Sequence, residues 1–146
     1  RRIMRIDLGL GTRLPAFATS MGRVLLAQYP DAELAQRLQR LQLPAFTDRT
    51  VTDPDLLQQV IRDAGEAGFA LVDQELEKGL RSAAVAVKNP AGRPVLAINT
   101  SMTASAETAA EAEQRVRPAL QECQTQVEAL VRSLGDDLRG LTAATR

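Results

Sequence analysis

Histidine is missing from this chain altogether. Its absence removes the usual general base near neutral pH, the commonest metal ligand, and every Ser-His or Cys-His nucleophile pair. Tryptophan is missing too, and aromatic residues make up only 3% of the sequence, so a core must be built from Leu, Val, Ile, Ala and Met. A single cysteine, Cys123, rules out an internal disulfide and fits a reducing, cytoplasmic compartment. There is no excess of charge either: 18 Lys and Arg balance 18 Asp and Glu. That balance argues against the basic face that nucleic-acid binding needs, and against an anionic membrane surface as partner. No apolar run reaches the roughly 18 residues of a membrane helix. The N-terminal RRIMRIDLG interleaves charged and apolar residues without a small-residue cleavage site, which is not the pattern of a signal peptide.

What is present is enough apolar sequence, 45% of 146 residues, for one domain of ordinary size. Residues 2–8 alternate, with Ile3, Met4, Ile6 and Leu8 set among Arg5 and Asp7, and predict a strand. Gly9, Gly11 and Thr12 break it, and 14–18 is extended around Pro15. Thr19 or Ser20 caps a short helix through Val24, Leu25 and Gln28. Asp31 caps a second helix that places Leu34, Leu38 and Leu41 on one face and ends at Pro44. After a polar loop, Asp53-Pro54 opens an amphipathic third helix closed by Gly65 and Gly68. Residues 69–72 predict a strand, 73–79 an acidic loop, and 80–87 and 94–102 a hairpin turned by Asn89-Pro90-Ala91-Gly92. Such a hairpin is antiparallel, which argues against a doubly wound parallel sheet. A last helix carries Val116, Leu120, Cys123, Val127, Leu130 and Leu134 at heptad-like steps, with Pro118 kinking it or marking the start of its main part. Residues 135–146 read as a flexible tail. The order fits an α+β sandwich of helices on an antiparallel sheet.

Three groups of residues could carry chemistry. At Ser20, Met21 and Gly22, a helix start presents unpaired N–H groups and the positive end of a dipole, and Gly22 has no side chain to keep a carboxylate away. The same residues equally suit a plain capped helix packed in the core. Ser82 on one strand, with Asn99 and Ser101 on the next, puts polar groups among Ala, Val and Ile; they either read a ligand or simply face solvent. Asp73, Glu75 and Glu77 could serve acid–base chemistry or hold a hard cation, but a solvated turn is the ordinary outcome for such a cluster. No cofactor or metal is expected, and an enzyme would need those three carboxylates without an activated nucleophile.

The segments RIM (2–4), GTRLPA (11–16), ATSMGRVLLA (18–27), TDRTVTD (47–53), GFALVDQELEKGLRSAAVAV (68–87) and AINTS (97–101) resemble, in this order and spacing, the C-terminal effector-binding domain of IclR-type transcriptional regulators. The subgroup that they look most like regulates protocatechuate, 4-hydroxybenzoate and β-ketoadipate catabolism. The resemblance spans residues 1–134. It implies a GAF-like curved antiparallel sheet flanked by helices, with its first strands and a DNA-binding winged helix-turn-helix expected upstream of Arg1. It implies a homodimer or homotetramer, a small aromatic or dicarboxylic acid as effector, DNA contact only through the upstream domain, and no membrane. It places an effector carboxylate at Ser20, Met21 and Gly22, further contacts at Ser82, Asn99 and Ser101, and apolar walls at Ile3, Ile6, Leu14 and Leu80. Val72 stands where some members place an acid, with Asp73 the nearest carboxylate, and an apolar wall there suits a larger or aromatic acid. The competing readings are an oligomerisation module seamed by the last helix, or an enzyme using Asp73, Glu75 and Glu77. The neutral charge predicts that this chain alone does not select a duplex DNA sequence; a gel shift with sub-micromolar, sequence-selective binding would overturn that.

Overall fold

A computed structural model describes residues 9–134 of the chain. The expected first strand at 2–8, with Ile3 and Ile6, and the tail at 135–146 lie outside the described residues. The elements run α1 (Ser20–Leu26), α2 (Asp31–Arg40), α3 (Pro54–Ala67), β1 (Phe69–Asp73), β2 (Leu80–Lys88), β3 (Pro94–Thr103) and α4 (Ala109–Ser133), with a 3-10 turn at Ala16–Ala18 before α1. The strands form one antiparallel sheet in the order β1-β2-β3. The class is α+β, as the sequence predicts. Among the described residues no helix is long and apolar enough to cross a membrane.

Period-two alternation in β2 divides the sheet into two dissimilar faces. One carries Ala70, Ala84, Ala86 and Ala97 and meets Val24, Met21 and Leu25 of α1 and Ala64 of α3. The other carries Phe69, Ala83, Val85, Ile98 and Met102 and meets Val116 and Leu120 of α4. A third apolar cluster joins Phe17 and Ala18 to Leu34 and Leu38 of α2 and to Leu57 and Ile61 of α3. Leu57 and Ile61 have no exposure at all, so truncating either to Ala is expected to cost about 2–5 kcal/mol.

Local chemistry sets the helix ends. Asp53 caps α3 by accepting from Leu56 N–H at 2.8 Å, with Pro54 in the first turn. Gly68 ends it at φ 62°, a left-handed conformation that favours glycine. Gly65, predicted to share that role, lies inside the helix. Pro30 rather than Asp31 occupies the cap position of α2, and Asp31 is its first residue. Leu41 leaves the expected apolar face because the chain turns extended there, ahead of Pro44; it is 51% exposed. Arg62 of α3 holds the far end of α1, donating to the carbonyls of Ala27 at 3.4 Å and Tyr29 at 2.8 Å while paired with Asp31.

Pro118 does not mark the start of the last helix; it lies inside α4, which begins at Ala109. The start is set by a capping box in which Thr108 and Glu111 satisfy each other's backbone N–H groups. Pro118 and Gln114 are both exposed, so the carbonyl that loses its helical bond lies on the solvent side of α4. The heptad-like stripe divides along the helix. Val116 and Leu120 are buried, Cys123 and Val127 partly so, while Leu130 and Leu134 are each 61% exposed and Val131 is buried in their place.

The Thr108 backbone N–H, and then its hydroxyl, hold the Glu111 carboxyl below its ordinary range. A carboxyl that binds its proton less readily folded than unfolded contributes stability above its ordinary pKa of roughly 4.3, and loses it as pH falls through the folded value. Glu111→Gln is therefore expected to flatten the fall in stability between roughly pH 5 and pH 3. Urea unfolding followed by circular dichroism across that range measures it, and an unchanged slope would count against the capping box.

Candidate functional site

Register brings the predicted polar residues into one place. Val72 of β1 pairs with Ser82 of β2, which pairs with Ser101 of β3, so the three form a row straight across the sheet. Ala70, Ala84 and Asn99 form the next row. Both rows lie on the face that carries α1. Above them the Ser20 hydroxyl, 1% exposed, donates to the Ser82 hydroxyl at 3.0 Å. Asn99 and Ser101 are exposed where this face runs out from under the helices. Leu80 shares the parity of Ser82 and is half-buried; Leu14 is half-buried just ahead of the 3-10 turn.

Thr19 caps α1 by accepting from Gly22 N–H at 3.2 Å. The N–H groups of Ser20 and Met21 have no hydrogen-bond partner among the described residues. They are the orphan donors of the helix start. Gly22 plays a different part from the one expected. A Cβ on it would sit 2.0 Å from the Ala16 carbonyl oxygen. The close approach that it permits is made by the chain's own backbone, where an external carboxylate was expected.

Asp73 does not join this group. Alternation puts it on the opposite face of the sheet from Val72 and Ser82. There it accepts from Arg81 Nε at 2.8 Å and pairs with Arg49. The acidic segment is also not the solvated turn that its composition predicts. Glu75 is 7% exposed, and its Oε2 accepts from Arg23 Nη2 at 2.6 Å and from Val51 N–H at 3.1 Å. Arg23, 2% exposed, also donates from Nε to the Phe17 carbonyl at 3.0 Å. Loop 47–51 clasps the segment from outside: the Thr47 hydroxyl donates to the Gln74 carbonyl at 2.7 Å and the Thr50 hydroxyl to the Glu75 carbonyl at 2.6 Å. Leu76 packs inward on the Phe17 cluster. With Asp73 and Glu75 both engaged by arginines, the acid–base reading of Asp73, Glu75 and Glu77 has no free pair to work with. No cluster of potential metal ligands occurs among the described residues.

Two clefts open elsewhere. One of about 180 Å³ lies toward the other end of α1, between Val24, Ala27, Gly65, Ala86, Lys88 and Gln124. The other, about 310 Å³, runs along β1 between Arg23, Asp63, Phe69, Leu71, Glu113 and Arg117. Neither is lined by Ser20 or Ser82.

Residues 1–129 match the family described as bacterial transcriptional regulator IclR, C-terminal. The chain belongs to the IclR family. It is 44% identical over 119 residues to the Pca regulon regulatory protein of Pseudomonas putida, covering 82% of this chain and 41% of that protein. It is 30% identical over 140 residues to the p-hydroxybenzoate hydroxylase transcriptional activator of Acinetobacter baylyi, covering 96% of this chain and 48% of that one. The chain thus spans less than half the length of both curated relatives. Among solved structures it is similar to the inducer-binding domain of a PobR double mutant from Acinetobacter in complex with 3-hydroxybenzoic acid. That match has a TM-score of 0.81 and 27% identity, and it covers 90% of this chain and 75% of that one. These relatives are transcriptional regulators, so this IclR domain is a regulator's part rather than an enzyme.

Gly22→Ala is expected to destabilise the domain by about 1–3 kcal/mol through overpacking against Ala16, although Ala in a helix ordinarily gains about 1 kcal/mol over Gly. Urea unfolding gives the sign, and a stabilised variant would show that the Ala16 backbone yields.

Proposed function

We propose that this IclR domain senses a small aromatic acid and relays its occupancy to a DNA-binding domain elsewhere in the regulator. One observation carries the reading: the N–H groups of Ser20 and Met21, without a partner among the described residues, stand at a helix start whose Ser20 hydroxyl bonds to the Val72–Ser82–Ser101 row. Backbone donors and the helix dipole hold a carboxylate without a basic side chain. The hydroxyls of Ser82 and Ser101 and the amide of Asn99 then read the rest of the molecule, and an effector entering between helix and sheet takes over the Ser20–Ser82 bond. Val72, 3% exposed and apolar, suits a ring better than a second carboxylate. The names of the Pseudomonas and Acinetobacter relatives, and the hydroxybenzoate complex of the similar inducer-binding domain, support an aromatic-catabolism regulator of the cytoplasm.

A second reading, an oligomerisation module, draws on the exposed Leu130 and Leu134 of α4. The two are compatible if the regulator assembles as a homodimer or homotetramer, and light scattering measures the assembly.

The test is a titration of the chain with 4-hydroxybenzoate, protocatechuate, 3-hydroxybenzoate and β-ketoadipate, by calorimetry and thermal shift. An aromatic acid is expected to bind and stabilise the fold. Ser82→Ala and Ser101→Ala are each expected to weaken it by about 0.5–1.5 kcal/mol. Ser82→Ala also strands the buried Ser20 hydroxyl, so affinity is read at temperatures where the variant is folded. No binding by any of the four acids, or unchanged affinity in both variants, would place the function or the site elsewhere.

A further inference from the structure

We infer that Arg23 and Glu75 are positioning residues, a buried strut that fixes where the start of α1 stands above the sheet. The inference rests on the proposed function for its consequence and on the geometry for its substance. The floor beneath α1 is Ala70, Ala84 and Ala86, covered by Val24 and Met21. Apolar packing is non-directional, and a floor of methyl groups offers few ridges to hold a two-turn helix in register. The Arg23–Glu75 pair supplies the missing direction.

Arg23 lies one turn after Ser20 on α1. Its planar guanidinium makes two bonds at a fixed angle, to the Phe17 carbonyl at 3.0 Å and to Glu75 Oε2 at 2.6 Å. The first braces the 3-10 turn that delivers the chain into the helix. The second reaches the segment between β1 and β2. Glu75 is immobilised in turn by Val51 N–H at 3.1 Å and, through its carbonyl, by the Thr50 hydroxyl at 2.6 Å. With side chains only 3% and 9% exposed, the pair bears a desolvation cost that an apolar pair of similar size would not. What the ion pair adds is a fixed height and rotation of the helix start, and a binding group must be held to within about 0.5 Å to work.

The experiment compares the wild-type chain with Arg23→Met/Glu75→Leu, which replaces the pair by apolar side chains, and with Arg23→Lys, which keeps the charge and loses the fork. The readouts are urea unfolding, calorimetric titration with 4-hydroxybenzoate, protocatechuate and 3-hydroxybenzoate, and amide hydrogen exchange at Ser20 to Val24 relative to α3. The apolar pair is expected to remain cooperatively folded and to bind the wild type's acid about tenfold or more weakly. Faster exchange is expected in α1 and not in α3, and Arg23→Lys is expected to keep little of the affinity. Wild-type affinity and wild-type exchange in the folded double variant would overturn the inference. Should that variant not fold, Glu75→Gln carries the same comparison with the same outcomes. If the wild type binds none of the acids, the effector reading falls, while the exchange pattern still decides whether the strut positions α1: selective loss of protection supports it and no change refutes it.

Discussion

How close α1 can come to the sheet is the constraint on which the site depends. Ala70, Ala84, Ala86 and Ala97 give that face a low relief, and Gly22 lets the helix start press against the Ala16 carbonyl. On that face the Ser20 hydroxyl reaches Ser82 at 3.0 Å. The other face of the same strands is built on a different scale. There Phe69, Val85, Ile98 and Met102 meet Val116 and Leu120 across ordinary aliphatic packing. The strand β2 therefore serves two cores of different composition, one lined mainly by alanine and one by larger side chains.

Polar contacts supply what alanine packing leaves undetermined. Arg23 ties the start of α1 to Glu75, and Arg62 ties its end to Asp31 and the carbonyls of Ala27 and Tyr29. The acidic loop reached by Arg23 is held from outside by Thr47, Arg49 and Thr50. Asp73 and Glu75, which could pass for part of a reactive cluster, act instead as anchors, each matched to an arginine.

Local features were the legible ones. Period-two alternation places Ser82 with Ala84 and Ala86, Asn89-Pro90-Ala91-Gly92 announces the turn, and Asp53-Pro54 announces a helix start, because each depends on neighbours within a few residues. Thr108 and Glu111 carried a readable capping signal of the same kind, which outweighs Pro118 in fixing the start of α4. The Val72–Ser82–Ser101 row was half legible: each residue's face follows from parity, but its partners follow from register, which is set by tertiary packing. Arg23 and Glu75 stand 52 residues apart, and nothing near either announces the other. Asp73 was misplaced for a related reason, since one step along a strand moves a side chain through the sheet.

The shortness of α1 has a dynamic consequence. Seven residues make a cylinder of about 10 Å, well below the length at which a helix sustains itself in water. Its order is borrowed from the contacts around it, so it has no intermediate response to losing them. A perturbation too small to break those contacts leaves the helix where it is, and one large enough melts it as a unit. Such an element behaves as a threshold rather than a spring.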